Sequence, residues 1–326
     1  MKSVEILSLG HYVPERILTN QDLEKMVDTT DEWITTRTGI KERRIAADDE
    51  KTSDMAIKAA EEALARAKFD PQNIDLIVVA TTTADSSFPA MACLVQKSLN
   101  AKKAAAFDVG AACSGFLYAL TTAKQFLLSG MYQNALVIAA DKMSKVMDWN
   151  DRTTCVLFGD GAAACLIQTS DKPNEGILSD YIFGLGEYSN YMQIIAEEIK
   201  PLEQKNMLVR SPYVVMQGPE LFKVAVNSMA EGVEIAAKKA GISLADISLV
   251  IPHQANDRII SAVAKKLGTP REKVYVNIEK YGNMSAASVA IALYEAVESG
   301  AVKKGDYIAL VVFGAGLVSA ANIIKW

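Results

Sequence analysis

Three residues have side chains and settings suited to chemistry. Cys113 sits in A-A-A-F-D-V-G-A-A-C-S-G, His253 in P-H-Q-A-N-D-R-I and Asn283 in Y-G-N-M-S-A-A-S. Before Cys113 an apolar, strand-like run ends in small residues. After it comes a helical pattern, Phe116-Leu117-Ala119-Leu120-Ala123-Phe126-Leu127, closed by Ser129-Gly130. The sulfur is therefore expected at a strand-to-helix elbow, at or next to a helix N-terminus. Unpaired N–H groups and partial positive charge there favour thiolate over thiol, and the thiolate is the nucleophile. The small flanking residues let a substrate carbonyl approach the backbone. His253 follows the apolar run Leu249-Val250-Ile251-Pro252, at the strand end where such sheets display working side chains. It sits among Gln254, Asn256 and Arg258. Each residue type also has a plainer use. A free cysteine can pack as a small hydrophobe, a histidine after a strand can be structural, and Gly-Asn often forms a turn or helix cap.

The elements that must position these residues alternate between strand and helix. Residues 3–9 read as a strand. Thr29 and Glu32 have capping-box spacing for a helix through Trp33 and Arg37 to Gly39, and Ser53-Asp54 caps a second helix that ends at Asp70-Pro71. Leu76 to Ala80 and Ala135 to Ala140 are continuous apolar strands of the buried parallel or mixed kind. Val156 to Gln168 reads as a strand pair or bend with glycines at the turn. Residues 170–212 read as a variable connecting region. Helices are expected over 221–239, 257–267 and 286–298, and strands over 249–251, 308–312 and 319–324.

The second half of the chain echoes the first. A-I-K-A-A-E-E-A-L…N-I-D-L-I-V-V matches E-I-A-A-K-K-A…D-I-S-L-V-I-P, and F-G-D-G-A-A-A-C-L-I matches F-G-A-G-L-V-S-A-A-N-I. The offset that lays Ser129-Gly130 on Ser299-Gly300 lays Cys113 on Asn283. Two similar βα units packed together would each place one elbow residue at a shared crevice.

Composition narrows the class. The chain has 326 residues, half of them hydrophobic, and a formal charge of -5, which gives no general attraction to nucleic acid or anionic membrane. No apolar run reaches membrane-spanning length, about 20 residues, and the N-terminus lacks a signal-peptide pattern, so a soluble, cytoplasmic protein is expected. The four cysteines, Cys93, Cys113, Cys155 and Cys165, show no metal-finger spacing, and no metal or redox cofactor is expected.

Together D-V-G-A-A-C-S-G-F, P-H-Q-A-N-D-R-I, Y-G-N-M-S-A-A-S-V, F-G-D-G-A and the early T-D-E-W-I-T-T-R-T-G-I resemble β-ketoacyl-acyl-carrier-protein synthase III of the thiolase superfamily, over nearly the whole length. The resemblance implies an α/β, thiolase-like fold in which two pseudo-repeated halves, 1–170 and 171–326, form a layered α-β-α-β-α core. It implies a Cys-His-Asn triad at Cys113, His253 and Asn283. It also implies that the thiolate takes an acyl group from acyl-CoA and that malonyl-acyl-carrier protein loses carbon dioxide to give the attacking carbanion. His253 and Asn283 would donate hydrogen bonds to the enolate. Backbone N–H groups of Cys113 and the F-G-A-G loop at Phe313 to Gly316 would hold the oxyanion.

The same resemblance extends to binding. Trp33 and Arg37 are four apart, on one helix face. By spacing alone they are a half-buried indole with a snorkelling Arg, though two flat groups there can sandwich an adenine ring. In the family the matching pair, with Arg152, holds CoA, and Thr29, Phe222 and Asn256 are weaker carry-overs along the pantetheine tunnel. Phe88 matches a position that crosses a homodimer into the partner's acyl pocket. Helix 257–267 is amphipathic, and its basic edge at Arg258, with Lys223 and Lys265, suits an acidic carrier protein. Val318-Ser319 stands where the family commonly has Trp-Gly, and Thr153 where it frequently has Gly. A relative serving secondary metabolism, a Cys-His thioesterase and a non-catalytic CoA-binding protein are the competing expectations.

Overall fold

In the computed structural model, which describes residues 2–194 and 213–326, the apolar runs build two sheets. Strands β1 (Ser3–Tyr12), β2 (Leu76–Ala80), β3 (Ala105–Val109), β4 (Asn134–Lys142) and β5 (Asp160–Ser170) form the first, in the order β1-β5-β4-β2-β3. Strands β6 (Gly176–Gly184), β7 (Ile247–Pro252), β8 (Tyr307–Gly314) and β9 (Val318–Lys325) form the second, in the order β7-β8-β9-β6. Val274 makes a parallel bridge to Val250 on β7. Counted as that sheet's third strand, it gives both sheets one order and one pattern of parallel and antiparallel neighbours. The repeat expected from sequence is thus present as topology.

Helices complete five layers. The principal ones are α1 (Asp31–Thr38), α2 (Thr52–Ala67), α3 (Gly115–Leu128), α4 (Gly218–Ala240), α5 (Asp257–Leu267) and α6 (Ala287–Glu298). Alternation along the strands decides which face meets which helix. Leu76, Val78 and Ala80 turn inward to a core shared by α3, α6 and the second sheet, whereas Ile77 and Val79 turn outward to α2. Ile308, Leu310 and Val312 face the same central core, and Ala309 and Val311 face α4 and α5. Burying one Leu, such as Leu117 or Leu120 on α3, stabilises by about 1.5–3 kcal/mol. A buried ion pair, Lys124 to Asp180 at 2.6 Å, joins α3 to β6. No helix among the described residues is long and apolar enough to cross a membrane.

Local readings change in four places. The cap of α1 is Thr30, whose hydroxyl accepts the Trp33 N–H at 3.1 Å, and not Thr29 paired with Glu32. Helix α2 begins at Thr52, ahead of Ser53-Asp54, because the Asp54 carboxylate reaches back to the Lys51 N–H at 2.9 Å. The segment 156–168 is no strand pair, since one long strand starts at Asp160 and Phe158 bridges to Asn283. Within 170–212, β6 is an edge strand of the second sheet rather than part of a loose connection. Residues 195–212 of that region lie outside the described residues.

Candidate active site

Strand β3 ends at Val109, and a single 3-10 turn, Ala112–Ser114, hands the chain to α3. Ala112 adopts a left-handed φ of 44°, which makes the elbow sharp. Gly115 permits the close approach that follows, because a Cβ there would lie 2.9 Å from the Cβ of Ala80. Cys113 is left 4% exposed at the foot of a cavity of about 130 Å³. His253 and Asn283 line the same cavity. The three residues come from the first sheet's elbow, the end of β7 and the segment before α6, so the two halves meet at this point.

Each neighbour of the sulfur is held by backbone contacts. The His253 N–H donates to the Val311 carbonyl at 2.7 Å, continuing the pairing of β7 with β8. The residue is 3% exposed, and Nδ1 has no partner among the described residues. Burial lowers its pKa to about 4, so the imidazole is neutral near pH 7. The Asn283 N–H donates to the Leu157 carbonyl at 2.8 Å, and its own carbonyl accepts the Gly159 N–H at 3.1 Å. The side-chain Oδ1 accepts the Ser285 N–H at 2.8 Å. That bond fixes the amide's sense and leaves its NH₂ as the donor group.

The thiol differs from the sequence-based expectation. Burial pushes the Cys113 pKa up to about 12, a hydrogen bond from Ser285 acts to lower it, and the charge of Asp141 acts to raise it. Loss of water around the sulfur is the largest cause, and it favours the neutral thiol.

Asn256 and Phe222 line the cavity, whereas Trp33, Arg37 and Arg152 do not and cluster at α1, next to Asn256. There the Arg37 guanidinium lies 4.5 Å from the Trp33 ring centroid, and that of Arg152 lies 5.3 Å from it. The Asn256 amide donates to the Arg37 carbonyl at 3.1 Å, while its Oδ1 caps α5 through the Arg258 N–H at 2.9 Å. Thr29 does not line the cavity, and its hydroxyl oxygen is buried without a partner among the described residues. Arg258 donates through Nε to the Thr36 carbonyl at 3.2 Å, which ties α5 to α1. Lys223 and Lys265 are exposed. Phe88 does not line this cavity and stands 85% exposed.

Residues 107–184 match the family model for 3-oxoacyl-acyl-carrier-protein synthase III, and residues 237–326 match the model for its C-terminal part. A curated relative from Caldanaerobacter subterraneus subsp. tengcongensis, β-ketoacyl-acyl-carrier-protein synthase III, is 50% identical over 98% of this chain and 97% of its own. The chain belongs to the β-ketoacyl-acyl-carrier-protein synthase III family. The crystal structure of the Aquifex aeolicus synthase III superposes with a TM-score of 0.93 at 49% identity, covering 99% of this chain and all of that one. The priming β-ketosynthase of the R1128 polyketide biosynthetic pathway superposes with 0.92 at 37% identity, covering 99% and 96%.

Two buried residues that act on the Cys113 thiol electrostatically were not singled out from sequence, Ser285 and Asp141. Ser285 lay two positions beyond Asn283 in a run of small residues. Asp141 ended an otherwise apolar strand, A-L-V-I-A-A-D. A carboxylate at the carboxyl end of a buried strand is a signal that could have found it.

Proposed function

We propose that the chain is the acyltransferase that opens fatty acid synthesis, condensing an acyl-CoA primer with malonyl-acyl-carrier protein. The observation that carries this reading is the meeting of Cys113, His253 and Asn283, from both halves, on one buried cavity. The halves correspond to residues 1–170 and 171–326, and neither alone holds the three.

The Cys113 thiolate attacks the thioester carbonyl, CoA leaves as its thiol, and the acyl group stays on sulfur. The cavity then admits the malonyl group. Loss of carbon dioxide leaves an enolate, whose oxygen takes hydrogen bonds from the neutral His253 ring and the Asn283 amide. Its carbon attacks the acyl carbonyl, and Cys113 departs with a β-ketoacyl-carrier protein formed. Backbone N–H groups near Cys113 and Gly314 hold the transient oxyanion. Proton transfer and hydrogen bonding suffice, so the chemistry calls for no metal or redox group.

Trp33, Arg37 and Arg152 hold the CoA head, and Phe222, Asn256 and Thr29 border the arm. Arg258, Lys223 and Lys265 receive the acidic carrier protein. The exposure of Phe88 supports a homodimer in which this ring enters the partner's acyl pocket. A cytoplasmic location suits a chain acting on CoA and carrier-protein thioesters.

Mass spectrometry after incubation with acetyl-CoA alone tests the reading. A stable acyl adduct on Cys113, lost in Cys113→Ser, supports it. Turnover to free acid points to a thioesterase, and unlabelled protein to a binding role. A second reading, the priming enzyme of a polyketide route, draws on the likeness to the R1128 ketosynthase. A panel of acyl-CoA primers with malonyl-carrier protein separates the two.

A further inference from the structure

Among the described residues nothing bonds Nδ1 of His253, so no contact through that nitrogen sets the angle of its ring. The angle falls to the backbone, and the next residue holds that backbone. Gln254 is fully buried. Its Nε2 donates to the Pro252 carbonyl at 2.7 Å and to the Tyr275 carbonyl at 3.3 Å, and its Oε1 accepts the Asn277 N–H at 3.0 Å. One amide thus pins the end of β7 to the segment beside it. Asn277 caps a single helical turn, Ile278–Tyr281, whose last residue stands two places before Asn283. Glu295, on α6, grips this turn at both ends. Its Oε2 accepts from the Asn277 amide at 2.8 Å, and its Oε1 accepts from the Tyr281 hydroxyl at 2.7 Å.

We propose that Gln254 and Glu295 are positioning residues for the decarboxylation step. Acting through Asn277 and Tyr281, they form a strut that fixes the spacing and angle of the His253 ring and the Asn283 amide. The strut touches neither the substrate nor the reacting atoms, and it works by keeping the two donors in place. This proposal rests on the reading of His253 and Asn283 as the donors to the enolate oxygen.

The two donors need such support. Hydrogen bonds to a developing charge help only when the donors are already aimed at it. His253 lies just past the end of β7, and Asn283 lies between the helical turn and α6, so neither sits inside a regular element. On its far side the turn is stopped by backbone, since Gly282 has a left-handed φ of 63° and a Cβ on it would lie 2.8 Å from the Leu157 carbonyl oxygen. Glu295 closes the near side. Its ion pair with Lys280, at 4.0 Å, is loose, so Asn277 and Tyr281 are the partners that fix the carboxylate. Stability alone would not choose these residues. Asn277 is 1% exposed, and its Oδ1 has no partner among the described residues, a cost that an apolar side chain would avoid.

The test compares two steps in wild type, Gln254→Met and Glu295→Gln. Acetylation of Cys113 by acetyl-CoA is read by quenched mass spectrometry, and decarboxylation by labelled carbon dioxide from malonyl-carrier protein. Gln254→Met keeps the length and removes the three bonds. Glu295→Gln keeps the shape and puts an amide NH₂ where one donor was received. Each should slow decarboxylation roughly 10- to 100-fold at saturating malonyl-carrier protein, with its KM and the acetylation of Cys113 unchanged. The distinguishing result comes from a His253→Ala background, where Gln254→Met should cost nothing further because the ring it places is gone. A full additional loss there, a parallel fall in acetylation, or wild-type decarboxylation by both variants overturns the strut. If either variant does not fold, Tyr281→Phe, which removes one hydroxyl, decides: slower decarboxylation with normal acetylation supports the strut, and a wild-type rate overturns it. If His253→Ala and Asn283→Ala release carbon dioxide at the wild-type rate, the reading of the donors fails and the strut with it. If they are slow while the strut variants match wild type, only the strut fails.

Discussion

Gly314, the last residue of β8, lies directly against the Cys113 turn: a Cβ on it would stand 2.9 Å from the Cys113 nitrogen and 2.8 Å from that of Ser114. Both neighbours are backbone, so neither can swing away. Gly314→Ala must displace the amide that would receive the oxyanion. Acyl-enzyme formation should fall by roughly 100-fold or more, the scale of losing one such donor. A rate of adduct formation equal to wild type would remove this contact from the mechanism.

In the proposed mechanism Asn283 and His253 act after acylation. Asn283→Ala and His253→Ala should each slow decarboxylation by roughly 100- to 1000-fold, while Cys113 still takes the acyl group. Release of labelled carbon dioxide from malonyl-carrier protein measures the step. Asn283→Asp should do no better, because the Ser285 N–H holds one oxygen and the other replaces the donor by an acceptor.

The buried imidazole makes stability depend on pH. The folded pKa of His253 is about 4, below the ordinary value of 6.5, so the unfolded chain takes up this proton first. Its contribution is complete above about pH 6.5 and is lost as pH falls towards 4, about 3 kcal/mol at most. Denaturant titrations at pH 7.5 and pH 4.5 should show a smaller drop for His253→Gln than for wild type. An identical drop would mean that the ring titrates normally.

Beside Trp33, Arg37→Ala should raise KM for acyl-CoA about 5- to 30-fold, the worth of one desolvated contact with a flat aromatic. Turnover at saturating primer should change little. An unaltered KM in a steady-state assay would take Arg37 off the CoA site.

Lys223→Glu with Lys265→Glu should raise KM for malonyl-carrier protein roughly tenfold at low salt, less as ionic strength rises, and spare loading from acyl-CoA. Arg258→Glu is a harsher change, because Arg258 also ties α5 to α1. Equal loss of loading and condensation in the lysine pair would argue against a docking surface.

Much of this arrangement was legible in the residues. The elbow at Cys113 shows as an apolar run that stops in small residues, and the Ser-Gly stops set its correspondence with Asn283. Strand β6 was hidden because it lies at a sheet edge, where Ser179, Asp180 and Tyr181 interrupt any apolar run. Thr29 and Thr30 are adjacent and chemically alike, so only backbone geometry chooses the cap. The sign of the thiol's shift was not readable either. It depends on how completely the walls exclude water, and those walls come from segments far apart in sequence.

The central helices α3 and α6 have sheet on both sides, and most of their side chains are buried. The floor beneath the sulfur therefore has almost no slack: enlarging Ala286 or Gly115 would wedge the two halves apart. Tuning which acyl chains are accepted is better sought at the wall where Met192 and Met216 line the cavity from short strands. A laboratory search for new primer preference should randomise that wall and leave the floor alone.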